Sequence, residues 1–461
     1  MENSNEKVDI TLSNDEFYKK YGRKKTIGAF TLGCKVNSFE TEAMIELFRK
    51  AGYEIVDFDE PADIYVINTC TVTSSGDKKS RNMIRRAKRN NANAIIAVTG
   101  CYSQVFPEKV MAIPGVDIVI GTDDRKKIID FVEEYKKNNV KIKHVSDIMK
   151  VKKFEELDID QYRDKTRAFL KIQDGCNRFC SYCMIPYARG PIRSREPENV
   201  LNEVEKLSKA GFKEIILSGI HIASYGVDLG NINLVDIIEK IEYIDGIERI
   251  RIGSVEPVFF KDNIIERLKK IKKLCRHFHL SLQSGCDATL KRMNRRYTAA
   301  QYEDIVEKLR DAFPGVSITT DIITGFPGET DEEFNETYNF LKRLELSKTH
   351  VFKYSPRRGT PAAKFKGQVS PEVKEKRSNM LLKLNEINEK KFIDKFIGGT
   401  LDVLFEQRVK EDADYLEGYS DNYINIRIKS NDNKLIGNIK KCVLEKSMGE
   451  YAIGHLAFYG R

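Results

Sequence analysis

Cys34, Cys70 and Cys101 each stand immediately behind a short apolar run that reads as a buried strand: TIGAFTLG, DIYVINT and AIIAVTG. Cysteines so far apart in sequence meet only if those runs lie side by side in one sheet with their carboxyl ends at a common edge. In open α/β sheets that edge is where sites form. The competing reading is three small buried hydrophobes, a common fate of free cysteine. The shared Gly-Cys or Thr-Cys strand ending favours ligation.

A second set, Cys176, Cys180 and Cys183, forms a tight Cys-x3-Cys-x2-Cys directly after another strand-like run, RAFLKIQD. Three thiolates hold three irons of a cubane cluster and leave the fourth iron open to a further ligand. Two such triplets point to two [4Fe–4S] clusters and an enzyme that binds something at each open iron. A zinc ribbon would need a fourth ligand, and this loop carries none nearby. Cys275, Cys286 and Cys442 have neither spacing and read as structural.

The remaining composition bounds the setting. No run of eighteen apolar residues occurs, so no membrane span is expected. The opening MENSNEKVDITLSNDEFYKK is polar and lacks a signal-peptide core, which predicts a cytoplasmic protein with reduced thiols. A net charge of +9 permits a polyanionic partner. With no Trp, any base stacking falls to Tyr, Phe, His or Arg.

The 461 residues suffice for several cores, and the pattern predicts an α/β chain. Residues 1–23 read as a polar extension. Residues 24–137 alternate strands and helices, with VDIVIG as a fourth strand, and predict a parallel-sheet α/β domain. Residues 138–163 read as a charged connector with little core. Across 164–394 six βα units follow (RAFLKIQD, KEIILSGI, ERIRIGSV, FHLSLQS, SITTDIITGF and THVFKYS), closing on a long helix from Pro371 to Phe396. They predict a (βα)6 partial barrel, shorter than the about 250 residues of a closed eightfold one. Residues 397–461 alternate like short strands between Gly, Asn and Asp turns and predict a small antiparallel β-barrel.

The stretches TLGCKVNSFETEAM, VINTCTVT, TGCY, KIQDGCNRFCSYCMIPYARG, HLSLQSG and TDIITGFPGET carry a resemblance to the methylthiotransferases of the radical S-adenosylmethionine (SAM) superfamily. It covers the chain apart from about its first twenty residues. It implies an N-terminal cluster domain, a radical-SAM barrel and a C-terminal TRAM barrel. The form Gly33-Cys34-Lys35-Val36-Asn37 is similar to the subgroup that modifies N6-threonylcarbamoyladenosine, just 3′ of the tRNA anticodon. Enzymes for isopentenyladenosine, or for a ribosomal-protein aspartate, usually carry other residues after this Cys. Both remain alternatives, as does a non-catalytic iron–sulfur RNA-binding protein.

The resemblance also implies roles. Cys176, Cys180 and Cys183 would hold the cluster whose open iron chelates and cleaves SAM. Cys34, Cys70 and Cys101 would hold the cluster that carries the sulfur to be methylated. Tyr182 fills the aromatic slot that contacts adenine. Ser218 and Gly219 stand where a Gly-Gly-Glu is common, here degenerate. Ser254, Glu256, Gln283 and Asp321 end later strands and are polar candidates for SAM, whereas His279 reads as a satisfied core histidine. An electron donor such as flavodoxin or ferredoxin is implied, and a monomer is expected. For the RNA, Arg81, Arg85 and Arg89 fall four apart on one predicted helical face with Lys78 close by. Arg189, Arg193 and Arg195 follow the cluster loop, and Arg292, Arg295 and Arg296 follow the fourth barrel strand. Such patches would hold the phosphates of a tRNA anticodon stem-loop without reading sequence.

Overall fold

The computed structural model describes residues 8–71, 74–157, 159 and 166–457. Its first unit is a sheet of β1 (Thr26–Thr31), β2 (Glu54–Val56), β3 (Ile64–Thr69), β4 (Ile95–Gly100), β5 (Ile118–Ile120) and β6 (Ile142–His144). All neighbours are parallel, in the order β2-β1-β3-β4-β5-β6. Every residue of β3 and β4 is buried, as expected of parallel strands covered on both faces. Alternate side chains feed two cores: Tyr65, Ile67, Ile96 and Val98 on one face, Ile64, Val66, Ile95 and Ala97 on the other. The chain runs outward from β1 to β2, then returns to β3 on the opposite side of β1. That reversal opens a crevice beyond the carboxyl ends of β1 and β3. Cys34, Cys70 and Cys101 follow β1, β3 and β4 at that edge.

Two segments carry more structure than their composition announces. Asn14–Tyr21 is a helix capped by reciprocal Ser13 and Glu16 bonds, and its Phe17 is fully buried. The presumed polar extension is thus anchored, with Lys25 Nζ also donating to the Leu12 carbonyl at 2.5 Å. The presumed connector contributes β6 and three buried apolar residues, Ile148, Leu157 and Ile159. Leu157 and Ile159 pack on Phe39 and Ala43. The short edge strands β2 and β6 are partly exposed and have no apolar run to reveal them.

The second unit consists of β7 (Arg167–Asp174), β8 (Arg193–Ser194), β9 (Glu214–Gly219), β10 (Arg249–Ile252), β11 (Ser254–Val255), β12 (His277–Leu280), β13 (Ser317–Thr324) and β14 (Lys348–Lys353). Strand order is β8-β7-β9-β10, then β11-β12-β13-β14. The third parallel strand is interrupted at Gly253, so β10 pairs with β9 and β11 with β12. Among the described residues β14 is not paired with β7, and the (βα)6 arc stays open. Outward residues such as Leu170, Ile172, Ile215, Ile250 and Phe278 join the main core under the helices. The alternating inward set is mostly polar: Arg167, Lys171 and Gln173 beside Phe169 on β7, Arg249 and Arg251 on β10, His277 and His279 on β12. The long helix spans Pro371–Asp394.

The last unit is a closed barrel of β15 (Thr400–Arg408), β16 (Tyr415–Ser420), β17 (Asn425–Lys429), β18 (Ile439–Ser447) and β19 (Ala452–Leu456), ordered β15-β16-β17-β19-β18. It is not wholly antiparallel as the sequence predicts, because β17 and β19 run parallel. Its β16–β17 turn plugs the amino-terminal end of the partial barrel. Arg251 donates to the Ser420 and Asp421 carbonyls and to buried Glu214, while Arg249 donates to the Tyr419 and Asp402 carbonyls. The Tyr423 ring stacks on His277 at 4.5 Å between the Arg167 and Arg251 guanidiniums. Arg251→Ala should leave Glu214 poorly paired in the interior and cost about 3–5 kcal/mol. A matching fall in the urea midpoint, with earlier proteolytic release of the C-terminal barrel, checks this.

Candidate active site

Two glycines let the first three cysteine loops pack together. Gly33 has φ +108°, and a side chain there would lie 3.0 Å from Cys70 Cβ and 3.1 Å from its sulfur. Gly100 has φ +95°, and a Cβ would strike Asn68 Oδ1 at 2.3 Å and the Thr69 carbonyl at 2.5 Å. The loop of Cys34 therefore rests on Cys70, and that of Cys101 on the end of β3. Asn37 ties them further, donating to the Leu32 carbonyl at 2.7 Å and the Thr69 carbonyl at 3.1 Å. Burial pushes the Cys101 thiol up to about 11 against the pull of Arg189, and the Cys70 and Cys34 sulfurs add repulsion. The three sulfurs share one electrostatic environment.

The second loop is held as firmly. Gly175 has φ +74°, and a side chain would collide with the Pro191 carbonyl oxygen at 1.8 Å. Cys176 N–H donates to the Gly190 carbonyl at 3.0 Å. Ser181 is stapled to the loop after β12, its N–H on the Met293 carbonyl at 3.0 Å and its hydroxyl on that of Arg292 at 2.7 Å. Arg295 Nη1 approaches Cys180 Sγ at 3.4 Å. Burial pushes the Cys176 thiol up to about 11 and Cys183 to about 12, and Cys180 repels both. Among the described residues no three His, Cys, Asp or Glu side chains converge on a single ion. A cubane asks something else, since each thiolate binds its own iron and the sulfurs stand apart at its corners. Both donor sets fit that demand better than they fit zinc.

Beside Cys183 lies a cavity of about 210 Å3, lined among others by Tyr182, Gln283, Asp321, Ile323 and Tyr354. Gln283 is held at its lip in a left-handed conformation, φ 74°, by backbone bonds to Asp321 and Ile323. Asp321 also faces His279 Nε2 at 3.2 Å, and His279 Nδ1 meets Thr319 Oγ1 at 2.9 Å. The other four SAM candidates do not line this cavity. Ser218 is buried and donates to the Leu170 carbonyl at 3.3 Å, and Gly219 is packed on Gln173. Ser254 bonds Ser281 at 2.7 Å. Glu256 is gripped by Arg178 at 2.5 Å and His221 at 3.1 Å, with Arg295 at 3.7 Å. Its carboxylate thus steadies the cations around the Cys180 loop.

Residues 170–341 match the family described as Radical SAM superfamily, and residues 26–121 the one described as Uncharacterized protein family UPF0004. The chain is 46% identical over 93% of its length to the threonylcarbamoyladenosine tRNA methylthiotransferase MtaB of Bacillus subtilis, covering 96% of that protein. It is 39% identical over 90% of its length to MtaB of Aquifex aeolicus, covering 98% of it. It is 40% identical over 85% of its length to a tRNA-2-methylthio-N6-dimethylallyladenosine synthase of Clostridium botulinum, covering 89% of it. The chain belongs to the radical-SAM methylthiotransferases. Among solved structures, the radical S-adenosylmethionine methyltransferase TsrM from Kitasatospora setae superposes with a TM-score of 0.54 at 14% identity, over 74% of this chain and 77% of that one. That likeness is one of fold.

As a radical-SAM methylthiotransferase the chain works with SAM and a [4Fe–4S] cluster. No described helix is long and apolar enough to cross a membrane. Arg189, expected from the sequence to hold RNA, instead reaches from the helix after the second cysteine loop to Cys101 of the first set. Arg189 is fully buried at the end of the helix Ile185–Arg189. Its Nε approaches Cys101 Sγ at 3.3 Å, Nη2 donates to Asn37 Oδ1 at 2.6 Å, and Nη1 pairs with Glu40. Glu40 also pairs with Arg125 and with Lys171 at 2.7 Å, and Lys171 reaches Asp174 at 2.5 Å. Burial alone would raise the Glu40 carboxyl, but Arg125, Arg189 and Lys171 hold it well below the usual carboxylate range.

Other basic residues of this methylthiotransferase are likewise spent internally. Arg193 is buried and donates to the Arg189 and Pro191 carbonyls. Arg195 bonds Glu156 at 2.7 Å, Arg292 pairs with Glu333, and Arg295 covers Cys180 and the Ser281 carbonyl. Arg81 is half-buried against Tyr102 Oη at 3.4 Å. Lys78, Arg85, Arg89 and Arg296 are exposed. Arg357, which no motif marks in the sequence, donates from Nη2 to Thr71 at 2.6 Å and Asp77 at 2.8 Å, tying the last barrel loop to the chain just after Cys70. An arginine behind a cluster loop reads as a phosphate ligand when its acid lies far away in sequence, as Glu40 does for Arg189.

Two outcomes follow. Arg189→Met should lower iron retained by Cys34, Cys70 and Cys101, measured as iron per chain in a Cys176→Ala background. Because the Glu40 carboxyl is depressed in the folded chain, its contribution to stability is complete above the ordinary carboxylate range of about 4. It should be lost as pH falls below that, seen as acid-induced proteolysis between the first two units.

Proposed function

We propose that this methylthiotransferase installs a methylthio group on carbon 2 of N6-threonylcarbamoyladenosine, just 3′ of the tRNA anticodon. The carrying observation is the single guanidinium of Arg189, which leaves the second cysteine loop and touches Cys101 of the first. One three-thiolate set bonded to the helix that follows the other set's loop suits a reaction that needs both at once. For the substrate, the supporting fact is 46% identity over 93% of the chain to an enzyme named for threonylcarbamoyladenosine, against 40% over 85% for a dimethylallyladenosine synthase.

In this reading Cys34, Cys70 and Cys101 hold one [4Fe–4S] cluster, and Cys176, Cys180 and Cys183 the other. The clusters and SAM, when bound, supply the radical and the sulfur that replace an unactivated aromatic hydrogen, chemistry beyond any side-chain acid or base. The chain's own residues do the rest. Tyr182, Gln283 and Asp321 bind SAM in the cavity beside Cys183. Arg295, steadied by Glu256, and Arg189, steadied by Glu40, keep positive charge against the thiolates Cys180 and Cys101. The Arg189 charge favours the Cys101 thiolate over its thiol. Exposed Lys78, Arg85, Arg89 and Arg296 hold phosphates and make binding salt-dependent. The C-terminal barrel acts as a TRAM module on the stem. A splayed-out base reaches the chamber, as single-stranded loop recognition requires. The enzyme works as a cytoplasmic monomer and takes electrons from a flavodoxin or ferredoxin.

Anaerobic reconstitution should yield about eight irons per chain if both triplets hold four-iron clusters. Cys176→Ala should abolish reductive SAM cleavage, whereas Cys34→Ala should retain cleavage and lose sulfur insertion. Full product from Cys34→Ala would refute the division of labour. Nucleoside mass spectrometry of tRNA from cells lacking the protein should show loss of the 2-methylthio form of threonylcarbamoyladenosine. Its persistence, with loss of the dimethylallyl counterpart, would transfer the substrate to the other subgroup.

A further inference from the structure

Lys35 directly follows Cys34 and opens the helix Lys35–Lys50. Its side chain leaves the first unit and carries the ammonium over the ring of Phe169 on β7, 5.3 Å from the centroid. Phe169 lies in register with inward-facing Arg167 and Lys171, so the ammonium stands at the inner wall of the open barrel. Lys35 is exposed to solvent there, and among the described residues its ammonium has no hydrogen-bond or ion-pair partner.

The acids of that wall are already committed. Glu406 pairs with Arg167 at 2.6 Å, Glu214 with Arg251 at 2.7 Å, and Asp321 with His279 at 3.2 Å. Arg167, Arg251 and His279 are thus paired within the chain, whereas among the described residues Lys35 has no ion pair. Lys35 is a charge beside a proposed cluster ligand, supported by an aromatic face and offered to whatever enters.

We infer that the Lys35 ammonium receives a carboxylate of the substrate, the threonyl carboxylate carried on N6 of the base, and so sets the choice of substrate. The inference rests on the function proposed above and names a specificity residue for it. In adenine the carbons C6 and C2 flank the same ring nitrogen, so an arm on N6 and the reacting C2 share one edge of the base. When C2 faces the cluster held by Cys34, the arm lies toward the residue next to Cys34. A dimethylallyl arm brings no charge and would displace water from Lys35 without replacing it, which disfavours that substrate. A site built to pair a polar group rejects analogues that lack it more strongly than an apolar pocket rejects an extra methylene.

The test is equilibrium binding of anticodon stem-loop RNAs by the reconstituted full chain, without turnover. Three probes share one sequence: threonylcarbamoyladenosine, its methyl amide without the carboxylate charge, and plain adenosine. Wild-type protein should bind the carboxylate loop about tenfold or more tighter than the amide, the scale of a charge-assisted hydrogen bond. Lys35→Gln should bind both alike, and Lys35→Arg should restore most of the preference. Iron content and SAM binding establish that each variant is folded and loaded. Retention of the full carboxylate preference by Lys35→Gln would overturn the inference while leaving the proposed function intact. A wild-type protein that bound the carboxylate loop no better than plain adenosine would overturn the proposed substrate itself.

Discussion

A single buried carboxylate, Glu40, sets how the first two units of this chain sit on one another. It lies on the helix after Cys34 and receives Arg125 from its own unit and Lys171 and Arg189 from the barrel. Removing these groups from water is costly, and only their mutual pairing offsets that cost. The arrangement is consequently close to all-or-none. A small shift between units would leave a charge unpaired in the interior rather than merely lengthen a bond. Buried ion clusters contribute little net stability compared with apolar packing, but they can enforce register, and here register fixes Arg189 of the barrel on Cys101 of the first unit.

The same economy of polar groups shapes the barrel. A closed eightfold barrel fills its interior with branched apolar side chains. Here the arc is open, and its inner face carries Arg, Lys, His, Gln and Thr beside Phe169, while most apolar strand residues lie under the helices. An interior of this kind cannot collapse on itself. Its floor is closed by Tyr423 and the carbonyls of the β16–β17 turn, which accept from Arg249 and Arg251. Cys183 of the second loop lines the cavity at the opposite end. The result is an open-sided interior with a polar wall and a closed amino-terminal floor.

Much of the site was legible because its chemistry is local. The Cys-x3-Cys-x2-Cys loop needs only its own spacing, and three strand endings of one type sufficed to bring Cys34, Cys70 and Cys101 to one sheet edge. Gln283 and Asp321 stand out as polar residues at strand ends and Tyr182 as the aromatic before Cys183, and all three line one cavity. Ser218, Ser254 and Glu256 shared that signature but turn to other partners. Arg189, Arg193 and Arg295 were misread for one reason. An arginine's role depends on where its acid lies, and Glu40 stands 149 residues from Arg189. Strand β6 and the N-terminal helix escaped because three exposed-edge residues, or one buried Phe, leave no periodic trace.

The sequence alone determined the βα alternation, the open six-unit barrel, the small C-terminal barrel and the six candidate ligands. Each of these follows from short-range periodicity or spacing, which the backbone geometry enforces locally. Tertiary structure decided which charges face each other. It set buried arginines such as Arg125, Arg189, Arg251 and Arg357 against partners distant in sequence, brought Arg189 onto Cys101, and left Lys35 without an ion pair among the described residues. Electrostatic pairing acts through space and at any sequence separation, so no pattern along the chain could have announced it.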